Sequence, residues 1–134
     1  MIYLTRKEYF CASHRLFNPK FSDAENLKIY GKCAYPNGHG HNYELEVTVA
    51  GEPDPETGMI LDLKKISDII KAEIIDKVDH RHLNFDIDFL DGIIPTAENL
   101  ATVFWRLLAP KIYGGKLYSV KVSETTNNFA EYRG

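Results

Sequence analysis

Two histidines separated by one residue, His39 and His41, are the most distinctive chemical feature of the sequence. Extended backbone directs alternate side chains to the same side, so both imidazoles are expected to face one way. A third histidine, His14, follows the first predicted strand and can complete the set. Three histidines around Zn²⁺ leave one coordination position open, as in catalytic zinc sites. The alternative is a chance pair of surface histidines, because a short motif alone is weak.

A cysteine, Cys33, lies six residues before His39 in an irregular segment. A thiol becomes reactive when a nearby cation or metal favours the thiolate. Cys33 is therefore a candidate fourth zinc ligand, nucleophile or general base, and a fourth ligand would close the site and make it structural. The remaining alternative is an inert buried thiol, which is the prediction for Cys11 because it falls within a strand pattern.

A carboxylate stands directly before an imidazole in Asp79-His80. Such a carboxylate can orient the ring and raise its basicity, as a proton relay requires. Adjacent residues need not touch, so the pair alone does not establish a relay. His82, two residues further on, is interpreted as an ordinary loop histidine.

Glu124 continues the alternation of Val120 and Val122, which places its carboxylate on an apolar strand face. Such a carboxylate is costly unless a partner satisfies it. The partner can be a flat ligand with two parallel N–H donors, such as an aminopyrimidine, or a salt bridge at the end of the strand. Thr96 and Glu98 begin a predicted helix whose backbone N–H groups either bind a ligand or are merely capped.

The elements that must position these residues follow from hydrophobic periodicity and turn residues. Asp62 is the predicted N-cap of a helix that runs to about Lys77, and a second helix begins near Thr96. The expected strands are at 3–12, 43–50, 117–124 and 129–132, and a long loop is expected at 18–38. The order β-β-α-α-β-β predicts an α+β domain, a four-stranded antiparallel sheet with two helices on one face. Its two open edges favour edge-to-edge oligomers.

Composition restricts the class of protein without naming a function. The chain has 134 residues, formal net charge −3 and a pI near 5.9. One domain at 1–134 is expected, and binding to nucleic acid through bulk charge is not. No apolar run approaches the roughly 18 residues of a membrane span, and no signal peptide is expected at the start. Two cysteines make no disulfide framework, which favours a reduced, cytoplasmic setting.

Several short motifs occur together, and in their order the sequence resembles the 6-pyruvoyltetrahydropterin synthase family, which includes the 6-carboxytetrahydropterin synthases. The resemblance covers nearly the whole chain. The motifs are Phe10-Cys-Ala-Ser-His14-Arg-Leu, Gly31-Lys-Cys33, Pro36-Asn-Gly-His39-Gly-His41-Asn-Tyr, Asp54-Pro-Glu-Thr-Gly-Met59, Asp79-His80, Thr96-Ala-Glu98-Asn99 and Glu124-Thr.

The resemblance implies the tunnelling fold (T-fold), in which sheets join edge to edge into a trimeric barrel and two trimers stack into a hexamer. It places the active sites at subunit interfaces, with a relay pair supplied by the neighbouring subunit. The implied roles are zinc ligands for His14, His39 and His41, general base for Cys33, charge relay for Asp79 and His80, pterin anchor for Glu124, and pocket residues for Thr96 and Glu98.

The substrate implied by the resemblance is 7,8-dihydroneopterin triphosphate, and Zn²⁺ is the implied cofactor. One branch of the family makes 6-pyruvoyltetrahydropterin for tetrahydrobiopterin synthesis, by eliminating triphosphate with an internal redox rearrangement. A second branch makes 6-carboxytetrahydropterin for queuosine and releases acetaldehyde. A third, folate-directed branch has glutamate in place of the cysteine, so Cys33 argues against it. The spacing from Cys33 to His39 favours the pyruvoyl branch.

Overall fold

The computed structural model describes residues 1–134. Short 3₁₀ turns lie at Gly31–Ala34, Asp88–Leu90 and Ala109–Lys111, and a π turn at Lys71–Ile75 joins two of the helices into one rod. In chain order the strands and helices are β1 (Ile2–His14), α1 (Asp23–Tyr30), β2 (His39–Gly51), α2 (Leu63–Ile70), α3 (Asp76–Val78), β3 (Arg81–His82), α4 (Ala97–Leu108), β4 (Lys116–Ser123) and β5 (Phe129–Tyr132).

The strands form one sheet in the order β3-β1-β2-β4-β5. β1, β2, β4 and β5 are antiparallel neighbours, which confirms the expected α+β architecture and its four antiparallel strands. The fifth strand, β3, is a correction: its two residues pair in parallel with Ala12 and Ser13 of β1. A two-residue strand is too short for any periodicity to reveal it.

The core lies between the sheet and the helices, which cover one face. Alternate residues of the central strands, such as Leu45 and Val47, are fully buried against Ile66 of α2 and Phe104 of α4. Both predicted helix starts are confirmed, because the Asp62 carboxylate accepts the N–H of Lys64 at 2.9 Å and Thr96 caps α4. The rod that begins with α2 ends at Val78, one residue beyond the prediction.

The first two strands are longer than predicted. β1 continues to His14 and β2 starts at His39, so the register runs from Ile2 opposite Gly51 to His14 opposite His39. The expected end of the first strand at residue 12 and start of the second at residue 43 were wrong, because the remaining paired residues are polar or glycine and break the apolar alternation. The histidines consequently belong to paired backbone and not to the neighbouring loops.

The segment 18–38 is not one loop, since it contains α1. Ser22 caps this helix by accepting the N–H of Glu25 at 3.1 Å. Among its residues only Asn26 is buried, while Leu27 and Ile29 are exposed. Without an apolar stripe the helix carries no periodic signal, which is why the sequence predicted a loop.

Both edges of the sheet keep unpaired backbone. β1 pairs with β2 along its whole length, but on its other side only Ala12 and Ser13 pair with a strand, which leaves the backbone of residues 2–10 open there. β5 forms the opposite edge. None of the helices has both the length and the apolar character needed to cross a membrane.

Candidate active site

The three predicted histidines converge at the paired ends of β1 and β2. His14 lies opposite His39, and His41 lies opposite Ala12, so all three side chains leave the sheet on its helix-covered face. The Nε2 atom of His39 is 3.0 Å from Nε2 of His14 and 3.0 Å from Nε2 of His41. Each residue offers a ligand atom, and these atoms lie within 4.8 Å of one another. This arrangement can hold one metal ion.

The orientation of His14 is fixed by a partner on its other ring nitrogen. Its Nδ1 lies 2.8 Å from the backbone carbonyl oxygen of Pro95, which can only accept, so Nδ1 carries the hydrogen. The lone pair of Nε2 then points toward the other two imidazoles. The Tyr43 hydroxyl lies 3.2 Å from the same Nδ1. Metal-binding histidines commonly have such a partner, which sets the tautomer and the ring plane.

Burial favours the neutral form of two of the three histidines, His14 and His41. His14 is 1% exposed, and this burial, reinforced by the neighbouring histidines, lowers its pKa to about 4 against the opposing hydrogen bond to Pro95. Burial, followed by the charge of His39, also lowers the pKa of His41. Neutral imidazoles are the form that binds metal. Three ring nitrogens this close together, with the Nε2 lone pair of His14 directed at the other two rings, fit a cation between them.

Cys33 is half-buried in the 3₁₀ turn Gly31–Ala34, and its carbonyl oxygen accepts the N–H of Leu16 at 2.8 Å. Its thiol is not a member of the metal-ligating cluster, which consists of the three histidines alone. Of the roles open to Cys33, the geometry therefore disfavours a fourth ligand. A three-histidine site keeps a coordination position for a bound molecule.

Asp79 and His80 do touch, and they are anchored to the outer edge of β1. Asp79 Oδ2 lies 3.0 Å from His80 Nδ1, while Asp79 Oδ1 accepts the N–H of Cys11 at 2.9 Å. The Cys11 N–H, followed by His80, lowers the pKa of Asp79 despite its partial burial. His80 has a φ of 60° and donates its own N–H to the carbonyl of Cys11.

The imidazole of His80 is not part of the histidine cluster of its own chain: its side chain is 80% exposed and pairs with Asp79. A pair this exposed at a sheet edge is accessible to a neighbouring molecule. The prediction that Cys11 is buried was wrong, because odd-numbered residues of β1 face the uncovered side of the sheet.

Glu124 follows the last residue of β4 and is half-buried at one end of an open cleft of about 600 Å³. The cleft is also lined by Thr96 and Glu98, and by Leu16, two residues beyond His14. Glu124 takes part in none of the ion pairs, so the predicted salt-bridge alternative was wrong. Burial, followed by the charge of Glu98, raises the pKa of Glu124.

Thr96 has a structural role as well, since its hydroxyl accepts the N–H of Asn99 at 3.2 Å and caps α4. Sequence reasoning missed two partners of the cluster, Pro95 and Tyr43. Pro95 is 81 residues from His14, and no local pattern connects them. Tyr43 could have been found, because it continues the alternation of His39 and His41 on the same face.

The chain matches the model of the family described as 6-pyruvoyl tetrahydropterin synthase over residues 3–134. It is 46% identical to the 6-pyruvoyl tetrahydrobiopterin synthase of Dictyostelium discoideum, over 99% of this chain and 96% of that protein. It is 44% identical to the human 6-pyruvoyl tetrahydrobiopterin synthase, over 98% of this chain and 90% of that one. A 6-carboxy-5,6,7,8-tetrahydropterin synthase from Rickettsia bellii is 29% identical, over 98% of this chain and 99% of that protein.

The solved structure of Caenorhabditis elegans 6-pyruvoyl tetrahydropterin synthase superimposes with a TM-score of 0.93 and 40% identity, covering 99% of this chain and 95% of that one. The sequence and the fold of this chain, including the segments that carry the histidine cluster, therefore match these relatives along nearly its full length. The chain belongs to the 6-pyruvoyl tetrahydropterin synthase family.

Proposed function

We propose that this chain is a zinc-dependent carbon–oxygen lyase that converts 7,8-dihydroneopterin triphosphate to 6-pyruvoyltetrahydropterin. The observation that carries the proposal is the convergence of His14, His39 and His41 into one candidate metal site, in a chain 40–46% identical to proteins with this activity in their names. The competing 6-carboxy product has weaker support, because the relative named for it is 29% identical.

Zinc fits the cluster because three imidazoles provide nitrogen ligands and leave one position for substrate. Bound there, zinc would supply Lewis acidity toward the hydroxyl groups of the substrate side chain and so acidify the adjacent C–H bonds. His14, His39 and His41 would hold the metal, and the Pro95 carbonyl would keep His14 in the ligating tautomer.

Cys33 acts in the proposal as the general base that removes a proton from the side chain and returns one to the ring. Its thiol lies outside the ligand cluster and is therefore free to exchange protons. Asp79 and His80 form the relay that exchanges protons with it, and their 3.0 Å contact supports this pairing. Hydrogen moves from side chain to ring, so the redox change is internal to the substrate and triphosphate leaves by elimination.

Glu124 anchors the aminopyrimidine edge of the pterin, with Thr96 and Glu98 contributing to the same pocket. A half-buried carboxylate without an ion pair is suited to accept two parallel N–H donors from a flat ring. Two charge-assisted hydrogen bonds would offset the burial that opposes ionisation of Glu124.

The proposed assembly is a hexamer of two stacked trimers with the T-fold barrel, in which the active sites lie between subunits. Open backbone on both sheet edges supports edge-to-edge pairing. The exposure of His80 supports the proposal that its imidazole lies in the active site of a neighbouring subunit. Residues 1–134 act as one domain in this assembly, and a cytoplasmic location remains a prediction from cysteine usage.

The role of Cys33 is tested by Cys33→Ala, with Cys11→Ser as a matched control that removes the exposed cysteine of the sheet. We expect Cys33→Ala to lose turnover of the triphosphate substrate by at least about a hundredfold, as for loss of a general base, while it retains one zinc per subunit. Cys11→Ser should keep both activity and zinc. Loss of zinc from Cys33→Ala would make the thiol a ligand and contradict the proposal.

A further inference from the structure

The side chain of Asn84 forms a two-point contact with the backbone of Arg15. Asn84 Oδ1 accepts the Arg15 N–H at 2.8 Å, and Asn84 Nδ2 donates to the Arg15 carbonyl at 2.8 Å. Just before this contact, Leu83 donates its N–H to the carbonyl of Ser13 at 2.8 Å. The amide therefore continues the hydrogen bonding along this edge to Arg15, one residue beyond the end of β1, as a strand backbone would.

Arg15, whose backbone is bound by Asn84, and the next residue, Leu16, in turn bind the 3₁₀ turn that contains Cys33. Leu16 donates its N–H to the carbonyl of Cys33 at 2.8 Å, and Arg15 Nε donates to the carbonyl of Ala34 at 2.8 Å. The guanidinium of Arg15 is further fixed by lying 4.0 Å from the ring centre of Phe17. Two consecutive carbonyls of the turn thus depend on two consecutive residues that follow β1.

Asn84 is itself held in place by its neighbours. Its backbone N–H donates to Nδ1 of His82 at 3.2 Å, and the N–H of His82 donates to Asp86 Oδ2 at 2.9 Å. The imidazole of His82 lies 4.5 Å, centre to centre, from the ring of Phe85. The amide therefore projects from a rigid turn and is not a mobile surface side chain.

We propose that Asn84 is a positioning residue that fixes the Cys33 thiol relative to the histidine cluster. It acts through Arg15 and Leu16 and does not touch the substrate. The contact requires one acceptor and one donor side by side, which an amide provides and a carboxylate does not. The expected effect of Asn84 on catalysis rests on the proposed function, in which Cys33 is the base. Its effect on the position of the Cys33 thiol does not depend on that role.

The test uses full-length, zinc-loaded protein with Cys11→Ser, so that Cys33 is the only thiol. Asn84→Leu removes both hydrogen bonds with little change in volume, and Ser67→Ala is the control, because it removes a buried hydrogen bond to Glu8 far from Cys33 in the sequence. The readouts are the alkylation rate of Cys33 by iodoacetamide, kcat, KM and zinc content. Misplacement of a reacting group by about 1 Å can lower a rate by roughly a hundredfold.

We expect Asn84→Leu to raise the alkylation rate of Cys33 several-fold as its turn loosens, and to lower kcat at least about tenfold. KM and zinc content should remain within about twofold, because Asn84 contacts neither ligand nor metal. Ser67→Ala should match the parent in every readout. Parental alkylation and kcat in Asn84→Leu would overturn the proposal.

If Asn84→Leu does not fold, Asn84→Asp serves in its place, since it keeps the acceptor for the Arg15 N–H and loses only the donor. It should shift alkylation and kcat in the same direction, and parental values would again overturn the proposal. Full turnover by Cys33→Ala would contradict the catalytic base itself, and alkylation would still report whether Asn84 places the thiol.

Discussion

At the scale of single residues, the site separates groups that must stay neutral from groups that must carry charge. His14 is neutral because burial lowers its pKa to about 4, which suits a metal ligand. Glu124 is in a different environment. Burial, followed by the charge of Glu98, raises its pKa, so ionisation of the carboxylate is unfavourable until a ligand donates hydrogen bonds to it. In the proposed function the cluster and the cleft have distinct tasks, metal binding and recognition of a ring that donates hydrogen bonds.

Replacing Glu124 by Gln tests the pterin anchor. The amide retains the volume but loses the charge and one acceptor, so we expect KM to rise about ten- to a hundredfold, or roughly 1.4–2.8 kcal/mol. Zinc content should be unchanged. Steady-state kinetics with metal analysis check this, and an unchanged KM would contradict the anchor.

Glu124→Gln should weaken substrate binding but raise the stability of the ligand-free protein. The folded-state pKa of Glu124 is raised, so the wild type loses stability as pH rises from the unfolded pKa through the folded one. Glu124→Gln lacks this dependence. Denaturant unfolding at neutral pH should therefore find the variant more stable than the wild type, and a less stable variant would show that the carboxylate has a stabilising partner.

At the scale of elements, the close approach of Gly38, directly before β2, to the end of β1 places the cluster. Gly38 precedes β2 with a φ of 69°, and a Cβ there would lie 2.6 Å from the backbone oxygen of His14. The close approach is required because His14 and His39 are directly paired. Only glycine avoids both the strained φ and the collision.

Gly38→Ala should therefore lower the free energy of unfolding by about 2–4 kcal/mol and weaken zinc binding. Gly58→Ala is the matched control, because Gly58 has a φ of 73° but no heavy atom within 4 Å of its added Cβ. The control should lose only about 1 kcal/mol and keep its zinc. Thermal denaturation and zinc analysis distinguish the two, and equal behaviour would mean that the approach at Gly38 does not hold the cluster.

The helices and strands also show which kinds of element can be predicted from sequence patterns. The helices beginning after Asp62 and Thr96 were predicted correctly because each has a capping residue and an apolar stripe. α1 and β3 were missed, since one buries a single polar residue and the other has two residues. A pattern reveals elements that bury apolar faces, and these two do not.

The candidate site divides in a similar way. Alternation predicted that His39 and His41 share a face, and position along the chain made His14, Cys33 and Glu124 candidates. The family resemblance supplied their expected roles. The partners that orient them were beyond prediction, because they come from distant parts of the chain: Pro95 reaches His14 across 81 residues and Asn84 reaches Arg15 across 69. Such contacts result from the packing of α4 and the β3 turn on the sheet.

At the scale of the whole molecule, a single chain leaves backbone hydrogen-bonding groups at its sheet edges without partners. One side of the backbone is unpaired along residues 2–10 of β1, β5 forms the opposite edge, and the imidazole of His80 is 80% exposed and outside its own chain's histidine cluster. Pairing between copies would cover the edges and bring His80 to a neighbouring Cys33. The proposed hexamer thus explains an edge feature and a catalytic feature with one arrangement.

Mixing two inactive variants tests whether subunits share a site. Cys33→Ala and His80→Ala should each be inactive alone, but hybrids contain sites with Cys33 from one subunit and His80 from the next. Random mixing after unfolding and refolding should restore about a quarter of wild-type activity, since each site draws its two groups from different subunits. No recovery in hybrids of confirmed mixed composition would place both groups in one chain.

The most direct measurement is the mass of the pterin formed when zinc-loaded protein is incubated with 7,8-dihydroneopterin triphosphate. The account predicts a tetrahydropterin that keeps its three-carbon side chain as a diketone, with one triphosphate released for each product. A 6-carboxy product with acetaldehyde would retain the site but contradict the proposed reaction. Unchanged substrate from folded, zinc-loaded protein would contradict catalysis on this pterin altogether.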